Sequence, residues 1–274
     1  MVDSTSETAR DDTSDPASID ARDGAFDDAF DGVSGGASAA DSDSTVGAAP
    51  ARRREVGATE RTAVRNVKRA RFERDEAYAI LDDDFVAHVG FSVGGDPFVI
   101  PMVYGRDGDR LLLHGSVATR IMRALDDGAP ACVTVTKVDG LVLARSQFHH
   151  SVNYRCVVAL GTATRLRDDE ARAAFDVICD HLLDGRARES REANRPEERQ
   201  TMVLAFPLDE LSVKVRAAPP SDDPIDLPPE GELSEVWAGV LPLRVVAGVP
   251  VADEYTSPDA VLPGALSRGD HRWA

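Results

Sequence analysis

Two stretches of the sequence hold side chains that could do chemistry. The first is Leu141–Gly161, LVLARSQFHHSVNYRCVVALG, in which two apolar β-type runs, Leu141–Ala144 and Cys156–Leu160, flank a polar insert. The insert carries Arg145, Ser146, Gln147, His149, His150, Ser151, Asn153 and Arg155. A strand pair facing a core alternates apolar and polar positions, so this many hydrogen-bonding groups mark either a polar hairpin loop or a site. The second is His114-Gly115-Ser116 running into Thr119-Arg120 at a predicted helix start. A helix N-terminus presents unpaired N–H groups and the positive end of a dipole, and Gly115 would let backbone approach an anion. With the Ser116 and Thr119 hydroxyls and the Arg120 guanidinium, this is the donor set of a phosphate-monoester cradle. A plain capped helix with a surface arginine explains the same residues.

Other chemistries find less support. Adjacent strand residues point to opposite faces, so His149 and His150 do not chelate from a regular strand, and no metal is expected. Cys132, Cys156 and Cys179 have neither zinc spacing nor an even disulfide count, and read as free thiols in a reducing compartment. No Ser-His-Asp order or Walker-type loop is present. The formal net charge of −17 over 274 residues argues against a nucleic-acid partner. Only Lys68, Lys137 and Lys214 are lysines, whereas Asp is abundant; this reads as halophilic adaptation to a high-salt cytoplasm, where screening relieves carboxylate repulsion. No run approaches the roughly 20 apolar residues of a membrane span, so a soluble, cytoplasmic protein is expected.

The elements that must position these residues read as antiparallel β. Arg74–Leu81 forms a short helix; Phe85–Val93 alternates as a strand, turns at Gly94-Gly95-Asp96 and returns as Pro97–Tyr104. Pro101 confines that strand to an edge or a bulge. Arg110–His114 is a third strand, so the chain forms a meander and not a βαβ nucleotide fold. Thr119–Asp127 is a helix capped by Thr119 or Ser116, and Ala131–Val138 a strand turned at Asp139-Gly140 into the polar hairpin. An amphipathic helix from Asp168 through Leu183 buries Ala171, Ala174, Phe175, Ile178 and Leu182. Arg186–Arg199 reads as a charged loop, and Thr201–Arg216 holds the last barrel strands around Pro207. Trp237–Val246 is apolar enough to dock on the body or on a partner subunit. Residues 1–51 have the composition of a disordered acidic tail, 52–73 of a linker or arm, 74–253 of the folded domain, and 254–274 of an irregular tail.

Together, LLLHGSVATRIMRAL, VTVTKVDGLVLARSQFHHSVNYRCVVALGTA, LSVKVR and WAGVLPL resemble the FMN-binding split-barrel superfamily. The resemblance is to its pyridoxamine 5′-phosphate oxidase-like branch, which includes the nitroimidazole-resistance (Nim-type) flavoproteins, and covers about Asp75 to Asp253. It implies a mainly β fold with flanking helices, a six-stranded antiparallel split barrel, and a homodimer with FMN at the subunit interface. In that picture Arg120, Ser116 and Thr119 take the FMN phosphate, His114 lies by the flavin as proton donor, and Met102 and Val103 line the ring through backbone and apolar contacts. Ser146, Asn153, Tyr154 and Arg155 supply further contacts. The implied function is an FMN-dependent oxidoreductase acting with a nicotinamide cofactor, a quinone or a nitroaromatic. The alternative is a flavin- or haem-binding module for storage or sensing. The C-terminal Arg- and His-bearing segment of true pyridoxamine phosphate oxidases has no counterpart, since His271 and Arg272 sit in a polar tail.

Overall fold

The computed structural model describes residues 55–269; the stretch expected as an acidic tail over 1–51 lies outside the described residues, as do His271 and Arg272. Residues expected to form an arm are packed instead: Val56 is in the core, and β1 (Ala70–Arg71) pairs with a strand far along the chain. Helix α1 (Arg74–Asp82) buries Ala77, Ile80 and Leu81, the spacing of one helical face. The meander follows as expected, with β2 (Val86–Val93), β3 (Asp96–Asp107) and β4 (Arg110–Ser116) in antiparallel register. Residues 96–103 of β3 pair with β2 alone, and pairing with β4 is confined to 104–107. Pro97 and Pro101 therefore lie where β3 has an open edge, the place a sheet tolerates proline.

Helix α2 (Arg120–Asp126) leads to β5 (Ala131–Leu143) and β6 (Ser151–Gly161), a long hairpin. The turn expected at Asp139-Gly140 is a bulge inside β5, where the register against β6 shifts between Val138 and Gly140. A Cβ at position 140 would stand 2.9 Å from the Leu241 carbonyl oxygen, so this glycine serves a close approach of backbone and not a reversal. Strand β7 (Thr164–Leu166) precedes α3 (Asp168–Leu182), the amphipathic helix. In place of a charged loop come two short helices, α4 (Arg186–Glu189) and α5 (Arg195–Gln200); Asn194 and Glu197 form a capping box at the second. Strands β8 (Thr201–Pro207) and β9 (Glu210–Arg216) flank Leu208, and β10 (Gly239–Pro242) docks on β5. The C-terminal stretch expected to be irregular holds α6 (Gly264–Arg268).

All pairings are antiparallel, in the order β1-β9-β6-β5-β2-β3-β4-β8-β7 with β10 beside β5. The mainly β architecture with flanking helices agrees with a split barrel, but among the described residues the sheet has ten strands where six were expected. Three of them, β1, β7 and β10, are two to four residues long, too short for an alternation to show in sequence. Consecutive strands β8 and β9 stand far apart in the ladder, yet Leu204 and Phe206 join Leu211 and Val213 in one inner core. That seam closes by apolar packing, without a ladder. A second, outer core lies under α3, where Leu112, Leu166, Val203 and Ala205 meet Ala174 and Ile178. Leu111-Leu112-Leu113 are all fully buried because β4 is covered on both faces. Each contributes about 1.5–3 kcal/mol by burial. No helix among the described residues is long and apolar enough to cross a membrane.

Candidate functional site

His114 lies within β4, not in a turn, and faces outward with Leu112. Its register partner on β8 is Val203, and its ring meets Phe175 of α3 edge-on at 5.9 Å between centroids. Nδ1 is sealed from solvent and has no hydrogen-bond partner. Burial lowers the imidazole pKa, because an apolar surround disfavours the charged ring; His114 is therefore neutral at pH 7. Val103 belongs to the same outer layer beneath α3.

Arg120 occupies the other face. Its guanidinium lies 4.6 Å from the centre of the Phe98 ring, which packs on the inner core and on Phe91. Among the described residues Arg120 has no ion pair. Met102 packs on the same inner core as Phe98, four residues along β3, or about 13 Å. The structure thus brings Arg120 to Phe98, on the same inner side as Met102, and separates that side from His114 and Val103 by the thickness of the sheet. The expected cap is absent: the Thr119 hydroxyl donates to the Ser116 carbonyl (2.9 Å), and Ser116 Oγ accepts from the Ala118 N–H (3.3 Å). Of the two hydroxyls, Ser116 keeps its proton free to donate.

Gly115 has a different reason from the one expected. A Cβ there would stand 2.9 Å from Met122 Cγ, and Met122 is fully buried, so the glycine makes room for α2 and not for an anion. We expect Gly115→Ala to destabilise the fold by about 1–3 kcal/mol, the cost of overpacking. Denaturant unfolding checks this, and Met122→Ala in the Gly115→Ala background should recover part of the loss.

Most polar residues of the hairpin hold the structure itself. Asn153, Tyr154 and Arg155 lie in β6, so the irregular segment is confined to residues 144–150. Asn153 Oδ1 accepts from Arg216 and from the Ala218 N–H. Arg155 pairs with Asp139 (2.8 Å) and Asp83 (3.0 Å), and Lys137 also reaches Asp83 (2.7 Å). Burial pushes the Asp83 carboxyl up, but these two cations outweigh it and hold it below the usual range. Ser146 Oγ caps a short 3₁₀ turn at 147–149 by accepting from the Phe148 N–H, and His150 Nδ1 accepts from the Ala144 N–H (3.0 Å). Tyr154 is half-buried, and its hydroxyl makes no hydrogen bond among the described residues though it interacts electrostatically with Arg216. Asn153 and Arg155, expected as cofactor contacts, are engaged in the protein's own network.

Two clefts border α3. The larger, about 430 Å³, lies between α3, α4 and α5, and its charges pair with one another: Arg191 with Glu197 (2.6 Å) and Arg172 with Glu198 (2.7 Å). The smaller, about 330 Å³, is lined by Phe175, Thr201 and Val203 together with Arg167 and Arg199. Neither arginine has an ion pair among the described residues. Thr201 is the register partner of Ser116, and Val203 that of His114, so this cleft borders the outer face of β4. Sequence reading singled out neither arginine. Both lie beside helix termini in charged stretches, and only the fold brings them together.

Residues 73–215 match the family model described as pyridoxamine 5′-phosphate oxidase. The chain belongs to that family. Comparison with curated proteins gives no match. Among solved structures, a FAD- and haem-binding protein from Mycobacterium smegmatis is 35% identical, with a TM-score of 0.68 over 73% of this chain and 96% of that one. The flavocytochrome Anf3 from Azotobacter vinelandii is also 35% identical, with a TM-score of 0.69 over 77% of this chain and 96% of its own. The pyridoxamine 5′-phosphate oxidase family is a flavin-binding one, and the donor set of this member fits a flavin phosphate. Arg120 is an exposed guanidinium held over an aromatic ring, with no ion pair among the described residues to compete for a phosphate. Arg155, the other cation expected near the cofactor, does not fit, because two carboxylates already neutralise it.

Proposed function

We propose that this protein is a flavin-dependent oxidoreductase that moves hydride or electrons between its flavin and a small molecule such as a quinone, a nitroaromatic or a nicotinamide cofactor. The observation that carries the reading is the 35% identity to two flavoproteins along nearly their whole length. When bound, the flavin supplies the hydride and electron chemistry. Arg120 holds the phosphate end of FMN or FAD with a charge-assisted bond. Phe98 and Met102 give the apolar inner face against which the rest of the cofactor lies. The open edge of β3, where Val99 and Ile100 are exposed, supports a homodimer that completes the pocket.

A second reading adds a haem. Both relatives carry one by name, and here the sheet keeps two donor sets apart, as two cofactors would require. His114 is a neutral, unpartnered imidazole in an apolar surround, the form that ligates iron. Arg167 and Arg199 are placed in the adjoining cleft to meet carboxylates. The absorption spectrum of the purified full chain in high salt tests both readings. We expect flavin bands; an added Soret band supports the haem, and absence of flavin bands, even after incubation with FMN and FAD, overturns the oxidoreductase reading.

A further inference from the structure

His149 takes no part in the chemistry above, and its surroundings are unusual for a surface imidazole. Residues 224–226 form a single 3₁₀ turn. Residues i and i+3 eclipse on such a turn, which brings the Asp223 and Asp226 carboxylates to one side. The short turn at 147–149 delivers His149 to the same point, with Nε2 3.1 Å from Asp223 Oδ2. That nitrogen is sealed from solvent and makes no hydrogen bond in this geometry. One ligand atom from each of the three residues lies within 4.8 Å of the others.

The arrangement is held from outside. Asp222, its side chain 3% exposed, accepts from the Arg145 N–H (2.8 Å) and pairs with its guanidinium (2.6 Å). This clamp fixes the 222–226 segment to the hairpin and neutralises Arg145. Among the described residues no Lys or Arg pairs with Asp223 or Asp226. Two carboxylates thus face one imidazole with no fixed positive charge of their own, and like charges so close favour a bound cation.

We propose that His149, Asp223 and Asp226 form a site for one divalent transition-metal ion, with zinc the best match to one nitrogen and two oxygens. Ligand distances of about 2.0–2.2 Å place tetrahedral donors roughly 3.3–3.5 Å apart. The ligand atoms already lie within 4.8 Å of one another, so closing to that spacing asks for a shift of about 1 Å, and the exposed Asp223 side chain has room to move. Three protein ligands leave a fourth position facing solvent. The ion ties the segment after β9 to the polar hairpin, at a place independent of the flavin reading.

The test is calorimetric titration of chelator-treated full-length protein with Zn²⁺ in molar KCl and excess Mg²⁺, which suppress binding to scattered carboxylates. We expect one equivalent bound, with affinity reduced about a hundredfold or more by His149→Ala, Asp223→Asn or Asp226→Asn, since even indirect ligand partners cost 10–100-fold. Asp259→Asn, an exposed carboxylate elsewhere, should bind as the parent does. Asp223 is exposed, so its variant keeps the test valid should His149→Ala fold poorly. No binding, or binding that all three variants leave intact, overturns the proposal and leaves a simple His149–Asp223 ion pair.

Discussion

Replacing Arg120 with alanine should weaken FMN or FAD about ten- to a hundredfold and leave riboflavin nearly unchanged. The lost contact is one charge-assisted bond to phosphate, worth roughly 1.5–3 kcal/mol, and riboflavin has no phosphate to lose. The position favours a clean result. Arg120 is exposed, has no carboxylate partner among the described residues, and contacts Phe98 through its face, so removing it strands no buried charge. Fluorescence titration of apoprotein with all three ligands gives the comparison. An equal loss for riboflavin would mean that Arg120 acts through Phe98 packing, and retention of both affinities would move the phosphate to the Arg167–Arg199 cleft. The double substitution of those two arginines then separates the faces of the sheet.

Local pattern made much of this fold legible. The β2–β3–β4 meander follows from alternation and from turns at Gly94-Gly95 and Gly108-Asp109, and α3 from its helical period. Arg110–His114 read as a strand, and the structure adds that its three consecutive leucines are covered on both faces. Tertiary approach defeated the same logic elsewhere. Asp139-Gly140 has turn chemistry, yet β10, a hundred residues on, presses against it and keeps β5 continuous. The α5 capping box was readable as Asn194 followed by Pro196 and Glu197, but the charge density of that stretch masked it.

The site was less legible than the fold, for a related reason. Asn153 and Arg155 look like ligand donors only while their partners are unknown. Those partners, Arg216, Asp83 and Asp139, come from three other parts of the chain. Gly115 looks like an anion cradle until Met122 is seen against it. Strand parity, in contrast, was available from sequence. Met102 and Val103 are adjacent and face opposite ways, so at most one of them meets a ring through its side chain and the other through backbone.

His114→Gln carries the largest expected effect and separates the two cofactor readings. Glutamine keeps hydrogen-bonding capacity and approximate size but neither titrates nor ligates iron. If His114 donates a proton in turnover, the chemical step should slow by about 10²–10⁴-fold with flavin content intact. Anaerobic reduction of the bound flavin followed by reoxidation with quinones and nitroaromatics measures it. If His114 instead holds a haem, the variant should lose the Soret band and keep the flavin bands. Unchanged turnover and unchanged spectra would remove His114 from both roles. Stability gives an independent reading. Burial lowers the folded-state pKa, so between that depressed value and the ordinary value of about 6.5 the unfolded chain binds more protons than the folded one. The parent should therefore gain stability as pH rises through that window and level off above it. In the glutamine variant this contribution disappears, because nothing at position 114 takes up the proton; a slope equal to the parent's would place the titrating group elsewhere.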